Sequence, residues 1–268
     1  MYQTLYNSIG KNYNSHRIAD SRISLLIKDL LNLPPGTTIA DIGAGTGNYA
    51  NALAEFGYKI AAVEPSDLMR KQAIQNKGVQ WLSGTAESIP LPDNSVNGVI
   101  IVLALHHFSD VPKAAHELVR ICPNGPVVIF TMDPRDSEKF WFNNYFPEIE
   151  QHVEKTFPPV IEIIKLIASE NNWTTSIRKF PLPYDLADMN MCSGWNQPEI
   201  YFDADMRKNT SGFALASSGA VKKGLKRLQQ DLNTGEWDQK YGFLRKLNSF
   251  DAGFRFIRFI KKAQNIIW

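Results

Sequence analysis

Asp41 closes the apolar run Thr38-Ile39-Ala40 and is followed by glycine at every second position, Gly43, Gly45 and Gly47. A lone carboxylate is costly to bury among aliphatic side chains, so packing does not account for Asp41. Glycine takes backbone angles that a side chain forbids and lets a ligand reach the main chain without meeting a Cβ. Glu64 ends the next apolar run, Lys59 to Val63. Two carboxylate oxygens at such a strand end can accept hydrogen bonds from both hydroxyls of a ribose. His106 and His107 follow a third apolar run, Ser95 to Leu103. An imidazole there could take a proton near neutral pH, or one ring could cap the loop while the other packs under a sheet. Strand, glycine turn and helix N-terminus together make a nucleotide-binding crevice of the doubly wound type.

The spacing argues about which nucleotide. A dinucleotide turn, G-x-G-x-x-G, would need its third glycine at position 48, where Asn48 stands. Asp-x-Gly-x-Gly-x-Gly instead resembles the first motif of class I S-adenosylmethionine (SAM) methyltransferases, in particular bacterial small-molecule enzymes of the type 11 kind, EC 2.1.1 in type. The resemblance is closest over residues 36 to 132 and looser over Trp195 to Gly212 and Thr234 to Arg258. It implies SAM as methyl donor and S-adenosylhomocysteine (SAH) as product. It places Gly43, Ala44, Gly45 and Asn48 around the amino acid and ribose portions, with Glu64, Pro65, Ser66 and Met69 on the ribose side. Gly84, Thr85, Ala86 and Glu87 would surround adenine. Many members have Asp where Thr85 stands, and a hydroxyl accepts the adenine amino proton more weakly. Leu103 and Ala104 would complete the floor. The leader Tyr6 to Arg17 resembles a lid in which Tyr13 and Arg17 engage the methionine carboxylate. The alternative is an amphipathic helix with surface Tyr and Arg.

The elements that must position these residues follow from periodicity and punctuation. Residues 1 to 32 read as helical, with Ile18, Ile23, Leu26, Ile27, Leu30 and Leu31 at helical spacing, and Pro34-Pro35-Gly36 ends them. Strands are expected at 38–42, 59–63, 79–82, 95–103, 126–132, 173–180 and 253–259. Helices are expected at 48–56, 67–74, 111–121, 161–170 and 221–232. The expected fold is α/β: a Rossmann-like, doubly wound, seven-stranded sheet, mostly parallel. Its last strand lies antiparallel beside strand five, as the resemblance implies. An N-terminal lid helix and helical and aromatic cap insertions are added to it. One domain over 1–268 would comprise lid helices (1–35), the SAM-binding core (36–135) and cap and specificity insertions interleaved with late strands (136–250).

Composition narrows the classes. Of 268 residues, 29 are Lys or Arg and 27 Asp or Glu, a net charge of +2 that gives no reason to invoke nucleic acid. The longest apolar run is far too short to cross a bilayer, and no targeting segment stands out, so a cytoplasmic protein is expected. Two isolated cysteines, Cys122 and Cys192, argue against a disulfide framework or a metal site.

Methyl transfer is an in-line displacement that needs alignment and dryness more than a catalytic triad. The aromatic segment from Phe140 to Phe146 is too dense to be an idle exposed loop: it walls an acceptor pocket or plugs cap to core. Trp141, Tyr145, Trp195, Tyr201 and Tyr6 are the candidate substrate wall, and Asp133 and Asp136 could steer a basic acceptor. Aromatic walls suit a cation, which favours an amine or guanidine nitrogen. A hydroxyl or carbon acceptor needs a base, which would employ His106 or His107. His106 is the better candidate to face the cavity. A nicotinamide-dependent oxidoreductase and a non-catalytic scaffold are the competing readings. The partner expected is a small molecule, with SAM and without a metal.

Overall fold

The computed structural model describes residues 17–136, 140–168, 173–208 and 210–262. The strands are β1 (Thr38–Ile42), β2 (Lys59–Val63), β3 (Val79–Leu82), β4 (Gly98–Val102), β5 (Val127–Met132), β6 (Trp173–Lys179), β7 (Leu182–Pro183), β8 (Ser249–Phe250) and β9 (Phe254–Lys261). Seven of them form one sheet in the order β3-β2-β1-β4-β5-β9-β6. β1 to β5 pair in parallel, and β9 runs antiparallel to both β5 and β6. β7 and β8 make a separate antiparallel pair. The seven-stranded sheet and the place of its antiparallel strand are as the sequence led one to expect.

Alternation along the strands divides the core. Ile39, Ile100, Val128 and Phe130 point to one face, Ala40, Val99, Ile101, Val127 and Ile129 to the other. All six residues of β5 are buried, as in a parallel sheet covered on both sides. The second face is covered by α4 (Val111–Ile121) and α6 (Val160–Ala168), through Leu118, Ile163 and Ile167. The first face takes α1 (Ser21–Leu31) and α2 (Asn48–Glu55), with α3 (Asp67–Gln72) following β2. A cap continues that layer, built from α5 (Pro147–Thr156), α7 (Ala204–Lys208), α8 (Ser211–Leu215), α9 (Ser218–Thr234) and α10 (Glu236–Tyr241).

α1 begins at Ser21: Asp20 is its N-cap, with extended backbone and a carboxylate accepting from the Arg22 N–H, and residues 1–16 of the stretch expected to be helical lie outside the described residues. Ile23 and Ile27 are fully buried in the core on the first face of the sheet. Arg17 instead lies extended and bridges to Asp188. Tyr6 and Tyr13 lie outside the described residues.

Candidate active site

β1 and β4 are neighbours in space, and β2 lies on the far side of β1, so the chain reverses direction across the sheet at the β1–β4 crevice. A cavity of about 300 Å³ opens there, at the carboxyl ends of these strands. It is lined by Arg17, Asp41, Gly43, Ala44, Gly45, Asn48, Glu64, Pro65, Ser66, Met69, Gly84, Thr85, Ala86, Glu87, Leu103 and Ala104. These are the residues named from sequence for the cofactor, apart from Tyr13. Asp188, His107 and Phe108 line it too.

The three glycines of the turn do different work. A Cβ on Gly43 would stand 2.6 Å from the Ala104 Cβ, and one on Gly47 would stand 2.6 Å from the Trp81 ring, so both serve close packing. Gly45, at φ +58°, has open space where its Cβ would be. Gly45 lines the cavity. Leu103, at the end of β4, also takes a left-handed φ of 51°, uncommon for a residue with a side chain and placed at the cavity floor.

Glu64 closes onto this turn. Its Oε2 accepts from the Gly45 N–H at 2.9 Å and its Oε1 from the Ser66 N–H at 2.8 Å. Each oxygen keeps a further lone pair, so the carboxylate can hold the turn and still accept two hydroxyls. Asp41 is different: it is 2% exposed, and among the described residues no donor or cation meets its carboxylate. Burial, together with the charge of Glu64, pushes the Asp41 carboxyl up to about 7. Burial raises Glu64 as well, against its two N–H bonds. Glu87 is a loop clasp, accepting from the N–H groups of Ser109 and Asp110. Asn48 donates to the Arg17 carbonyl at 2.5 Å.

A second cavity, of about 90 Å³, shares Arg17, Leu103 and His107 with the first. His106 and His107 form its floor, with His152 and Phe157 entering from the end of α5. His106 stacks on Phe157 at 3.9 Å and lies 3.8 Å from His107, ring centre to ring centre. Burial, and after it neighbouring His152, holds the His107 imidazole down at about 4. Burial followed by His107, His152 and Arg17 holds His106 well below its ordinary value, and burial with Lys155 lowers His152. Burial thus favours the neutral form of all three rings. His107 lines both cavities, and His106 lines the second. Both sit in a single 3-10 turn, Leu105–His107, whose sense the sequence does not announce. Cys192 lines this cavity as a thiol, because burial pushes it up to about 12.

The expected substrate wall is elsewhere. Trp141, Tyr145, Trp195 and Tyr201 line neither cavity; they are buried in the cap. Trp141 donates its Nε1–H to the Trp195 carbonyl and meets the edge of Trp237 at 5.2 Å. Tyr145 donates its hydroxyl to Asp231, and Tyr201 donates to the Met191 carbonyl. The rings bury one another in edge and tilted contacts within the cap. Asp133 is likewise spent internally, accepting from Arg135 and from the Val160 N–H, and Asp136 pairs with Arg255. Arg17 pairs with Asp188, which also accepts from the Tyr49 hydroxyl. Its guanidinium therefore faces the cavity already partnered. Asp188, His152 and Asn190 were not anticipated from sequence; the two polar residues Asp188 and Asn190, set among Leu186, Ala187, Met189 and Met191, were the available sign.

A doubly wound sheet with an antiparallel strand beside β5, an acid and glycine turn after β1 and an acid after β2 makes a nucleotide-binding crevice at the switch point of the sheet. Residues 40–130 match the family model of a methyltransferase domain. A crystal structure from Anabaena variabilis, described as a methyltransferase from an antibiotic biosynthesis pathway, is 44% identical. It covers 91% of this chain and 98% of its own, with a TM-score of 0.88. The 2-phytyl-1,4-naphtoquinone methyltransferase of Thermosynechococcus vestitus is 26% identical over 65% of this chain and 78% of its own length. Phosphoethanolamine N-methyltransferase 2 of Haemonchus contortus, solved with SAM, shares the fold at 16% identity. Its TM-score is 0.58, over 97% of this chain and 57% of that one. The chain belongs to the class I SAM-dependent methyltransferases. Among the described residues no helix is long and apolar enough to cross a membrane, and no group of His, Cys, Asp or Glu is arranged to hold a metal.

Proposed function

We propose that the chain methylates a small neutral molecule seated in the second cavity, on oxygen or carbon rather than on a cationic amine. The observation that carries this is the junction at Leu103 and His107, where a cavity fitted for SAM meets one whose described lining contains three imidazoles and no carboxylate. Charge complementarity, which an ammonium or guanidinium acceptor would need, is absent from that lining. The case for nitrogen rested on aromatic walls and on Asp133 and Asp136, which the fold uses for its own packing and ion pairs. A naphthoquinone, acted on by the Thermosynechococcus relative, is a neutral, oxygen-bearing molecule of the favoured kind.

The residues of the first cavity fit SAM. When bound, SAM supplies a methyl carbon made electrophilic by its sulfonium. Asp41 offers an unpartnered buried carboxylate to the ligand's positive charge, and Glu64 offers two spare lone pairs to ribose hydroxyls. Gly45 leaves the space a Cβ would take. Thr85 and Ala86, which line the cavity, would meet the adenine end. Leu103 and His107 wall the meeting point, where alignment and exclusion of water can supply up to about 7–11 kcal/mol of the barrier reduction. The proton lost by a hydroxyl acceptor would go to a neutral imidazole of the cluster. Titration calorimetry tests the donor assignment: SAM and SAH should bind, and NAD should not. Preferential binding of NAD would overturn it, and SAM binding without methyl transfer to any neutral acceptor would favour a scaffold.

A further inference from the structure

Alternation along β4 sends Val99 and Ile101 to the second face of the sheet and Ile100 to the first. By the same rule Leu103 belongs with Val99 and Ile101. It packs instead against the first-face cluster, as Val102 does, because its φ of 51° turns the side chain back toward the side that carries the cap. Glycine or asparagine takes that conformation at less cost than leucine. A strained backbone persists where its surroundings fix it, and here both flanks are fixed. The Leu103 N–H donates to the Phe130 carbonyl at 2.8 Å, which holds it to β5. The His107 N–H donates to the Ala104 carbonyl at 2.9 Å, which begins the 3-10 turn. Ala104 packs so closely on Gly43 that a Cβ there would stand 2.6 Å from its own, so the glycine turn and the end of β4 keep a set separation.

Three residues, Arg17, Leu103 and His107, are common to the two cavities, and Leu103 is the apolar one. The sulfur of SAM carries three groups. Its adenosyl and aminocarboxypropyl groups belong to the first cavity, and in-line transfer requires the third to point at the acceptor, hence at this junction. We propose that the Leu103 side chain limits the size of that third group, admitting one carbon and excluding two, and so is a specificity-determining residue for methyl over larger alkyl donors. This rests on the methyl-transfer reading above. The left-handed backbone is what brings the leucine to the junction, and the contact of Ala104 with Gly43 keeps it from retreating.

The test needs no acceptor. Titration calorimetry on the full chain compares SAM with S-adenosylethionine, which has one more methylene on sulfur, and with SAH, which lacks the group altogether. The wild-type protein should bind S-adenosylethionine about tenfold or more weakly than SAM, the discrimination one methylene can give in a close-fitting pocket. Leu103→Ala and Leu103→Gly should each bring the two within about threefold, by tightening S-adenosylethionine, and leave SAH affinity near wild type. Leu103→Met, which conserves volume, should keep the wild-type ratio. Glycine at 103 accepts the left-handed φ without a side-chain penalty, which keeps the test open if the alanine variant is unstable. A leucine that served packing alone would lower stability when truncated and leave the donor ratio unmoved. Equal affinity of the wild-type protein for SAM and S-adenosylethionine overturns the inference without any variant. So does an unchanged ratio in both truncations, or a fall in SAH affinity that parallels SAM. Each of these results leaves the methyl-donor assignment standing; failure of the wild-type protein to bind SAM and SAH at all would bring down both.

Discussion

Replacing Asp41 with Asn should stabilise the ligand-free protein at pH 8 and weaken its hold on SAM. In the unfolded chain this carboxyl titrates near 3.8; in the fold it titrates near 7, because burial and Glu64 oppose its charge. The folded state therefore binds the proton more tightly, and wild-type stability falls as pH rises from about 4 to 7, by up to ~1.4 kcal/mol per pH unit. Above pH 7 the loss is complete, on the order of 4 kcal/mol. Asn carries no charge, and its unmatched amide donor costs about 1–3 kcal/mol, so the net gain at pH 8 should be roughly 1–3 kcal/mol. At pH 4, where the wild-type carboxyl is mostly neutral in the fold, that gain should disappear. The assay is urea unfolding of both proteins from pH 4 to 8.5, with and without SAM. Subtracting one stability curve from the other cancels the groups they share. Wild-type affinity for SAM should fall as pH drops below 7, up to tenfold per unit, and the variant's should be weak and flat. A stability difference that does not change with pH would show that Asp41 is not held against its charge. An Asp41→Asn protein that binds SAM as tightly as wild type would remove the assigned role.

Other perturbations separate ligand contacts from packing. Glu64→Ala should weaken SAM binding by about 1–3 kcal/mol by calorimetry, since it removes the proposed ribose acceptor and frees the Gly45 and Ser66 N–H groups; unchanged affinity in a folded variant would refute the ribose role. Gly45→Ala should fold, with strain of about 1–2 kcal/mol at its left-handed φ, yet lose SAM affinity at least tenfold, because the methyl is added to a residue that lines the cavity. Gly47→Ala should lower thermal stability further, since its methyl meets the Trp81 ring. Trp141→Ala should cost about 3–5 kcal/mol in urea unfolding and leave the SAM dissociation constant near wild type, a core residue's signature; a stable variant with altered acceptor KM would restore it to the substrate wall.

The legible part of this protein is its local part. Asp41, the glycine turn, Glu64 and the strands that carry them fall within 38–64, and their contacts are with one another: Gly43 and Ala44 donate to the Val63 carbonyl, and Glu64 accepts from Gly45. Periodicity and turn chemistry mark the two strands and the turn that make such contacts. Arg17 finds Asp188 across 171 residues, and Tyr145 finds Asp231 across 86. No local signal encodes either pairing. The aromatics from Phe140 to Phe146 show the same limit. Their density says that they must be covered, but a ring buries itself against a ligand or another ring with equal ease. Here the cover was Trp195, Tyr201, Phe213 and Trp237, contributed by distant segments.

The acids show when sequence does discriminate. Asp41 and Asp133 both follow a buried strand residue, and from sequence both looked available to a ligand. Asp133 has an arginine two positions on, and the two pair, holding the Asp133 carboxyl below its usual range despite its burial. Asp41 is followed by Ile42 and Gly43, with no basic residue until Lys59, and Lys59 begins the neighbouring parallel strand, at the opposite end of the sheet from Asp41. A carboxylate placed where neither the local chain nor the strand register can bring it a cation stays uncompensated in the fold. It then stabilises the protein only by meeting a positively charged ligand. The absence of a nearby base, more than the presence of the acid, is what marks Asp41 as the ligand's residue and Asp133 as the fold's.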